Sequence, residues 1–174
     1  MGGYKKLFFG VRRYLQTFWR WLAVAGLTGS VCGLVGSAFN LAVGRVTELR
    51  TASPQLMWLL PLGGVFIAAL YRVTKTEGEG TNNIIDSIRF GEKVPLLLVP
   101  VIFIATTVTH LLGGSAGREG AALQIGGGIG YQIGRAIKLD DKDMRLVTLC
   151  GMSAVFSALF GTPLTATVFA LEVI

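Results

Sequence analysis

Residues 21–43 contain no charged side chain, and a run of about 20 apolar residues is what a helix needs to cross the hydrocarbon of a bilayer. This segment is long enough to cross with tilt. Arg45, Glu48 and Arg50 close it on one side. On the other side Lys5, Lys6, Arg12, Arg13 and Arg20 stand without a single acid before residue 21. The chain's net charge is only +6, so the basic excess is local. That bias predicts a cytoplasmic N-terminus held by the positive-inside rule. A nucleic-acid partner would need basic residues spread over a solvated fold, and none is expected here.

Composition agrees with a membrane protein. Of the 174 residues, 52% are hydrophobic and 15% are charged, against roughly 25% charged in soluble domains. At about 20 residues per span the length allows roughly four to six helical segments. Cys32 and Cys150 lie far apart in apolar stretches, with no C-x-x-C spacing, and His110 is the only histidine. No metal or cofactor is therefore expected. Both cysteines read as buried small hydrophobes, and His110 as hydrogen-bonded packing.

Along the chain, residues 1–18 alternate basic pairs with aromatics and suit an amphipathic helix on the cytoplasmic membrane surface. Residues 19–174 form the membrane part. The first span carries Gly29-x-x-x-Gly33 and Gly33-x-x-Gly36, spacings that point to helix packing. Pro54 suits a first helical position, and residues 55–73 form a second span that returns to Arg72 and Lys75. A polar loop at 76–83 leads into a helix at 84–90 that is too short to span. Residues 94–112 read as a third long apolar segment, with Pro95 in its first turn and a kink at Pro100. A glycine-rich helix then runs to about Leu139, with Gly126, Gly127, Gly130 and Gly134 at helical spacing. An aspartate among residues 140–143 is placed to cap the next helix. Gly161-Thr162-Pro163 breaks the apolar stretch that follows. The last segment reaches Glu172 without a cap, a glycine or a basic flank, so the chain is expected to be cut short.

No enzyme is expected. Gly128-x-Gly130-x-x-Ile133 fails the dinucleotide fingerprint at its last place, no P-loop Gly-Lys pair exists, and no Ser-His-Asp or paired-carboxylate arrangement is visible. What remains are two polar loops, 78–83 and 113–119, each releasing into a helix between apolar spans. Broken helices whose N-termini converge are how transporters hold anions without a full cationic charge. The same spacing also fits two ordinary connections at the membrane surface.

Three motifs bear on that choice. Gly117-Arg118-Glu119-Gly120, followed by Gln124-Ile125-Gly126-Gly127 and Ile129-Gly130, resembles the GREGP region of the CLC chloride channels and transporters. Phe160-Gly161-Thr162-Pro163-Leu164 and Phe169-Ala170-Leu171-Glu172 look like the family's NAPLAG and FIIEE stretches, and 78–82 occupies the place of its GSGIP. Ala121, Glu79 and Val173 depart from the pattern. Loss of the serine at Glu79 and of the second glutamate at Val173, together with Asn82-Asn83, resembles the bacterial fluoride/proton antiporter branch.

The resemblance implies an all-α, polytopic helical membrane protein, the first half of an inverted-repeat fold with broken or re-entrant helices. It implies anion transport, fluoride or chloride, coupled to protons and completed by a second half or a homodimer in the bacterial inner membrane. Glu119 would be the gating and proton-coupling glutamate. Gly117, Arg118, Gly120 and Ala121, with Gly80, Thr81 and Asn82, would surround the anion. A passive chloride channel and a non-transporting scaffold are the alternatives.

Overall fold

The structure is a computed structural model that describes the backbone of residues 3–172 and the side chains of residues 14–172. The described residues form seven α-helices: α1 (Gly3–Ala52), α2 (Leu60–Thr74), α3 (Thr81–Phe90), α4 (Leu98–Leu111), α5 (Arg118–Ala136), α6 (Asp141–Phe160) and α7 (Pro163–Glu172). Among the described residues there is no strand. Among the described residues three stretches are long and apolar enough to cross a bilayer: Tyr14–Ala52, Pro54–Thr74 and Asp141–Phe160.

Local chemistry explains most boundaries. α1 runs from Gly3 to Ala52 because no proline interrupts it before Pro54. Its backbone continues through residues 18 and 19 without a break; of the surface-helix reading of residues 1–18, the side chains of 1–13 lie outside the described residues. Proline disfavours helical geometry at the residue before it, and Ser53 accordingly leaves the helix at φ −134°, ψ 77°. The second span opens as a 3-10 turn, Pro54–Leu59, before α2 begins. Lys75 ends α2 in the left-handed region at φ 54°. The Oδ1 of Asp140 accepts a 2.8 Å hydrogen bond from the amide of Asp143, the expected N-cap of α6. Gly161, at φ 69°, ends α6, and Pro163 opens α7.

The third apolar segment differs from its sequence reading. α4 has 14 residues and starts at Leu98, not Val94. Pro100 therefore falls in the first turn, where a missing N–H costs no intrahelical bond, and no mid-helix kink arises. Residues 91–97 are non-helical apart from a final turn, and the Nε2 of Gln132 pins them to α5 by donating to the Val94 carbonyl at 2.8 Å.

The core forms where α5 meets α6. A side-chain carbon on Gly126 would strike the Gly151 carbonyl and sit 2.9 Å from the Met152 Cα, and one on Gly130 would sit 3.0 Å from the Thr148 Cα. Glycine alone allows these backbones to approach so closely, which is the usual way helices adhere in lipid. α1 joins through Gly36, where an added carbon would lie 3.0 Å from the Ala158 Cβ. Phe39 of α1 meets Phe103 of α4 edge to face at 5.3 Å. Arg20 also reaches from α1 to Asp143 of α6 at 3.0 Å, but the arginine is 58% exposed, so the pair contributes little.

Two packing expectations need correction. A side-chain carbon added at Gly29 or Gly33 would meet nothing within 4 Å, so neither is a close helix contact; on α1 that contact falls at Gly36. Cys32 is buried as expected, but Cys150 is exposed, since it lines an open groove between α1, α6 and α7. His110 behaves as read: its Nδ1 lies 2.8 Å from the Thr106 carbonyl.

Candidate functional site

Two helix N-termini form the candidate site. At α3, Gly80 is the N-cap in an extended conformation, and its N–H donates to the Oδ1 of Asn83 at 2.9 Å. Asn83 returns its own N–H to the Gly80 carbonyl at 3.1 Å. The amides of Thr81 and Asn82 remain, since a helix's first turn has no intrahelical acceptor for its donors. The sequence had suggested a start near Ile84. Instead the helix begins at Thr81, because Gly80 and Asn83 cap each other.

At α5 the N-cap is Gly117, extended at φ −71° and ψ 133°, with no side-chain cap. Arg118, Glu119 and Gly120 occupy the first three helical positions, so their amides point out of the helix end. Ala121 is fourth. Helix geometry directs its N–H to the Gly117 carbonyl, and its side chain is buried, so it forms a wall and supplies no donor. Arg118 and Glu119 are exposed. The carboxylate of Glu119 turns back over its own N-cap: its Oε2 lies 3.0 Å from where a side-chain carbon on Gly117 would be. A glycine at 117 leaves room for that position.

The two ends are neighbours. Gln124, one turn into α5, donates from Nε2 to the Oγ1 of Thr81 at 2.9 Å. A side-chain carbon on Gly120 would lie 3.4 Å from that same oxygen. Gly80, Thr81 and Gly120 are thus brought together, while Asn82, Arg118 and Glu119 stand on the exposed rim. Sequence reading did not assign Gln124 a role. The available signal was an amide side chain inside an otherwise apolar, glycine-rich helix. Glu79, just before the α3 cap, has an Oε2 shielded from solvent and without a hydrogen-bond partner. Val173, the site of the missing second glutamate, lies outside the described residues.

Two helix N-termini held side by side are an arrangement that membrane transporters use to hold ions. The family model described as "Voltage gated chloride channel" matches residues 63–174, and the chain belongs to that family, the CLC proteins. It is 40% identical over 157 residues to the chloride/fluoride channel protein of Pseudomonas syringae pv. tomato, covering 89% of this chain and 35% of that protein. It is 29% identical over 172 residues to the H(+)/Cl(-) exchange transporter ClcA of Vibrio campbellii, covering 87% of this chain and 36% of that one. Among solved structures it superposes with a TM-score of 0.81 and 34% identity on a CLC-type fluoride/proton antiporter, over 87% of this chain and 39% of the other. A slow cyanobacterial Cl-/H+ antiporter shares the fold at a TM-score of 0.67. The chain thus spans 35–39% of the length of these proteins.

Proposed function

We propose that this chain carries the gate and half of the anion site of a proton-coupled anion transporter. The observation that supports the reading is the Gln124–Thr81 hydrogen bond, which sets the N-terminal parts of two helices against one another. Amides of Arg118, Glu119 and Gly120 from α5, with Thr81 and Asn82 from α3 beside Gly80, would hold a small anion. Such donors, with the positive ends of two helices, are worth roughly 0.3–2 kcal/mol each to an anion. Gly117 leaves the approach open, Ala121 walls it, and Arg118 raises the local anion concentration.

Glu119 closes the account. Its carboxylate, folded over Gly117, can occupy the donors when ionised. Protonation removes the charge that competes with the anion, and the side chain swings away from the helix end, so that each anion passage is linked to a proton. Fluoride is the favoured ion, because the 40% identical relative is a chloride/fluoride channel protein and the 34% identical structure a fluoride/proton antiporter. The word channel in the former supports passive conduction as the second reading.

The rest of the pathway would come from a second half or from a homodimer, in a bacterial inner membrane with the basic N-terminus in the cytoplasm. Liposomes carrying the chain together with the remainder of the Pseudomonas syringae relative test this. Fluoride efflux accompanied by proton uptake is the expected result. Efflux without proton movement selects the channel, and no anion movement contradicts both.

A further inference from the structure

The loop that leads into α5 runs against the end of α1. A side-chain carbon on Gly113, at φ 83°, would lie 2.9 Å from the Met57 Cγ and 3.5 Å from the Arg50 Cδ. Glycine at 113 thus lets the apolar stem of Arg50 rest on the loop, and the arginine is half-buried there. Arginine stems pack in this way while their charged heads stay in water. Gly113 lies four residues before Gly117, the α5 N-cap, so at most about 14 Å of chain separates the two.

Nothing cancels the charge of Arg50. It makes no ion pair or hydrogen bond with the described residues. In residues 45–71 and 94–134 only Arg45, Glu48, Arg50, Arg118 and Glu119 carry a formal charge. Arg45 and Glu48 are three positions apart, which puts them on one face of α1, and both line an open cavity of about 600 Å³. Their charges offset one another at a distance. Glu48 is two positions from Arg50 and does not face it. Arg50 is left as an unbalanced cation over the α5 loop, on the approach to Gly117.

We propose that Arg50 is a steering residue for the transported anion, drawing it to the α5 loop before it reaches the amides at the start of that helix. The inference rests on the transport reading above. Arg50 acts by charge, so its reach is set by salt: the Debye length is about 30 Å at 0.01 M and about 3 Å at 1 M ionic strength. An arginine that only caps the end of α1 or packs on Gly113 would show no such dependence on a bound anion.

Arg50→Met keeps an unbranched apolar stem on Gly113 and drops the charge, and Arg50→Lys restores the charge. Fluoride flux in liposomes of uncharged lipid, and fluoride binding by titration calorimetry, are measured for the chain combined with the remainder of the Pseudomonas syringae relative. Both are run at the low and the high ionic strength, set with gluconate. In Arg50→Met at low salt, the half-saturating fluoride concentration and the Kd should rise by at least about threefold. Maximal flux should be unchanged, the difference should vanish at high salt, and Arg50→Lys should match the unaltered protein. An unchanged Kd at low salt, a defect that persists at high salt, or one that lysine does not repair each overturns the proposal. Flux indifferent to Arg50 removes the steering role and leaves the transport reading. Binding that weakens only at low salt, with no flux, removes the transport reading and leaves Arg50 as the anion's attractor. An unaltered protein that neither binds nor moves fluoride overturns both.

Discussion

The amide of Gln124 donates a 2.9 Å hydrogen bond to the hydroxyl of Thr81, and those two residues belong to helices that begin at opposite ends of a 37-residue interval, Thr81 and Arg118. The bond fixes the spacing between the α3 and α5 N-termini. Cutting it should loosen the site more than the fold. Gln124→Leu is expected to lose about 0.5–1.5 kcal/mol of thermal stability. Fluoride affinity, read by titration calorimetry, should fall further than that loss explains. Equal loss of both would mean the bond only packs helices.

The α5–α6 seam makes a sharper claim about stability. Gly126→Val places side-chain carbons against the Gly151 carbonyl and the Met152 backbone, neither of which can turn aside. Overpacking of this kind costs about 1–3 kcal/mol, and the backbone contact puts Gly126→Val at the upper end. Gly33→Ala, with nothing within 4 Å, should hold or gain stability, since alanine is favoured over glycine in a helix by about 1 kcal/mol. Thermal denaturation in detergent compares the two. A tolerant Gly126 would contradict the seam.

Asp140→Ala removes the side-chain acceptor of the Asp143 amide. The expected loss is about 1 kcal/mol, visible in the same melting experiment, and Asp140→Asn should recover most of it. An unchanged midpoint in Asp140→Ala would show that water caps α6 as well as the carboxylate does.

Glu79 keeps a shielded carboxylate oxygen without a donor, directly ahead of the α3 cap. Its charge works against an anion held at that helix end. Glu79→Ser should therefore tighten fluoride and chloride binding by about tenfold, or 1.4 kcal/mol. Weaker binding in the serine variant would show that the carboxylate assists the site.

Much of this arrangement was legible in the residues. The Asp140 cap, the Gly161-Thr162-Pro163 break and the glycine seam of α5 follow from local chemistry and spacing alone. Other features depend on contacts the sequence cannot display. Gln124 and Thr81 are 43 residues apart, and nothing local says that they meet. Pro100 implies a kink only in a helix that starts at Val94, whereas Gln132 of another helix bonds the Val94 carbonyl and α4 starts at Leu98. Gly29 and Gly36 share the same pattern of neighbours along α1, yet only Gly36 lies where α6 crosses. Crossing points, unlike caps and breaks, are set by the partner helix.

The most direct measurement is of proton movement alongside anion movement for Glu119→Gln, in liposomes holding the chain with the remainder of its relative. Glutamine keeps the size of the side chain folded over Gly117 but cannot carry the proton. Anion flux that persists while proton uptake vanishes is the predicted result. Proton uptake in the same ratio to anion as in the unaltered protein would contradict the assignment of Glu119 as the gate.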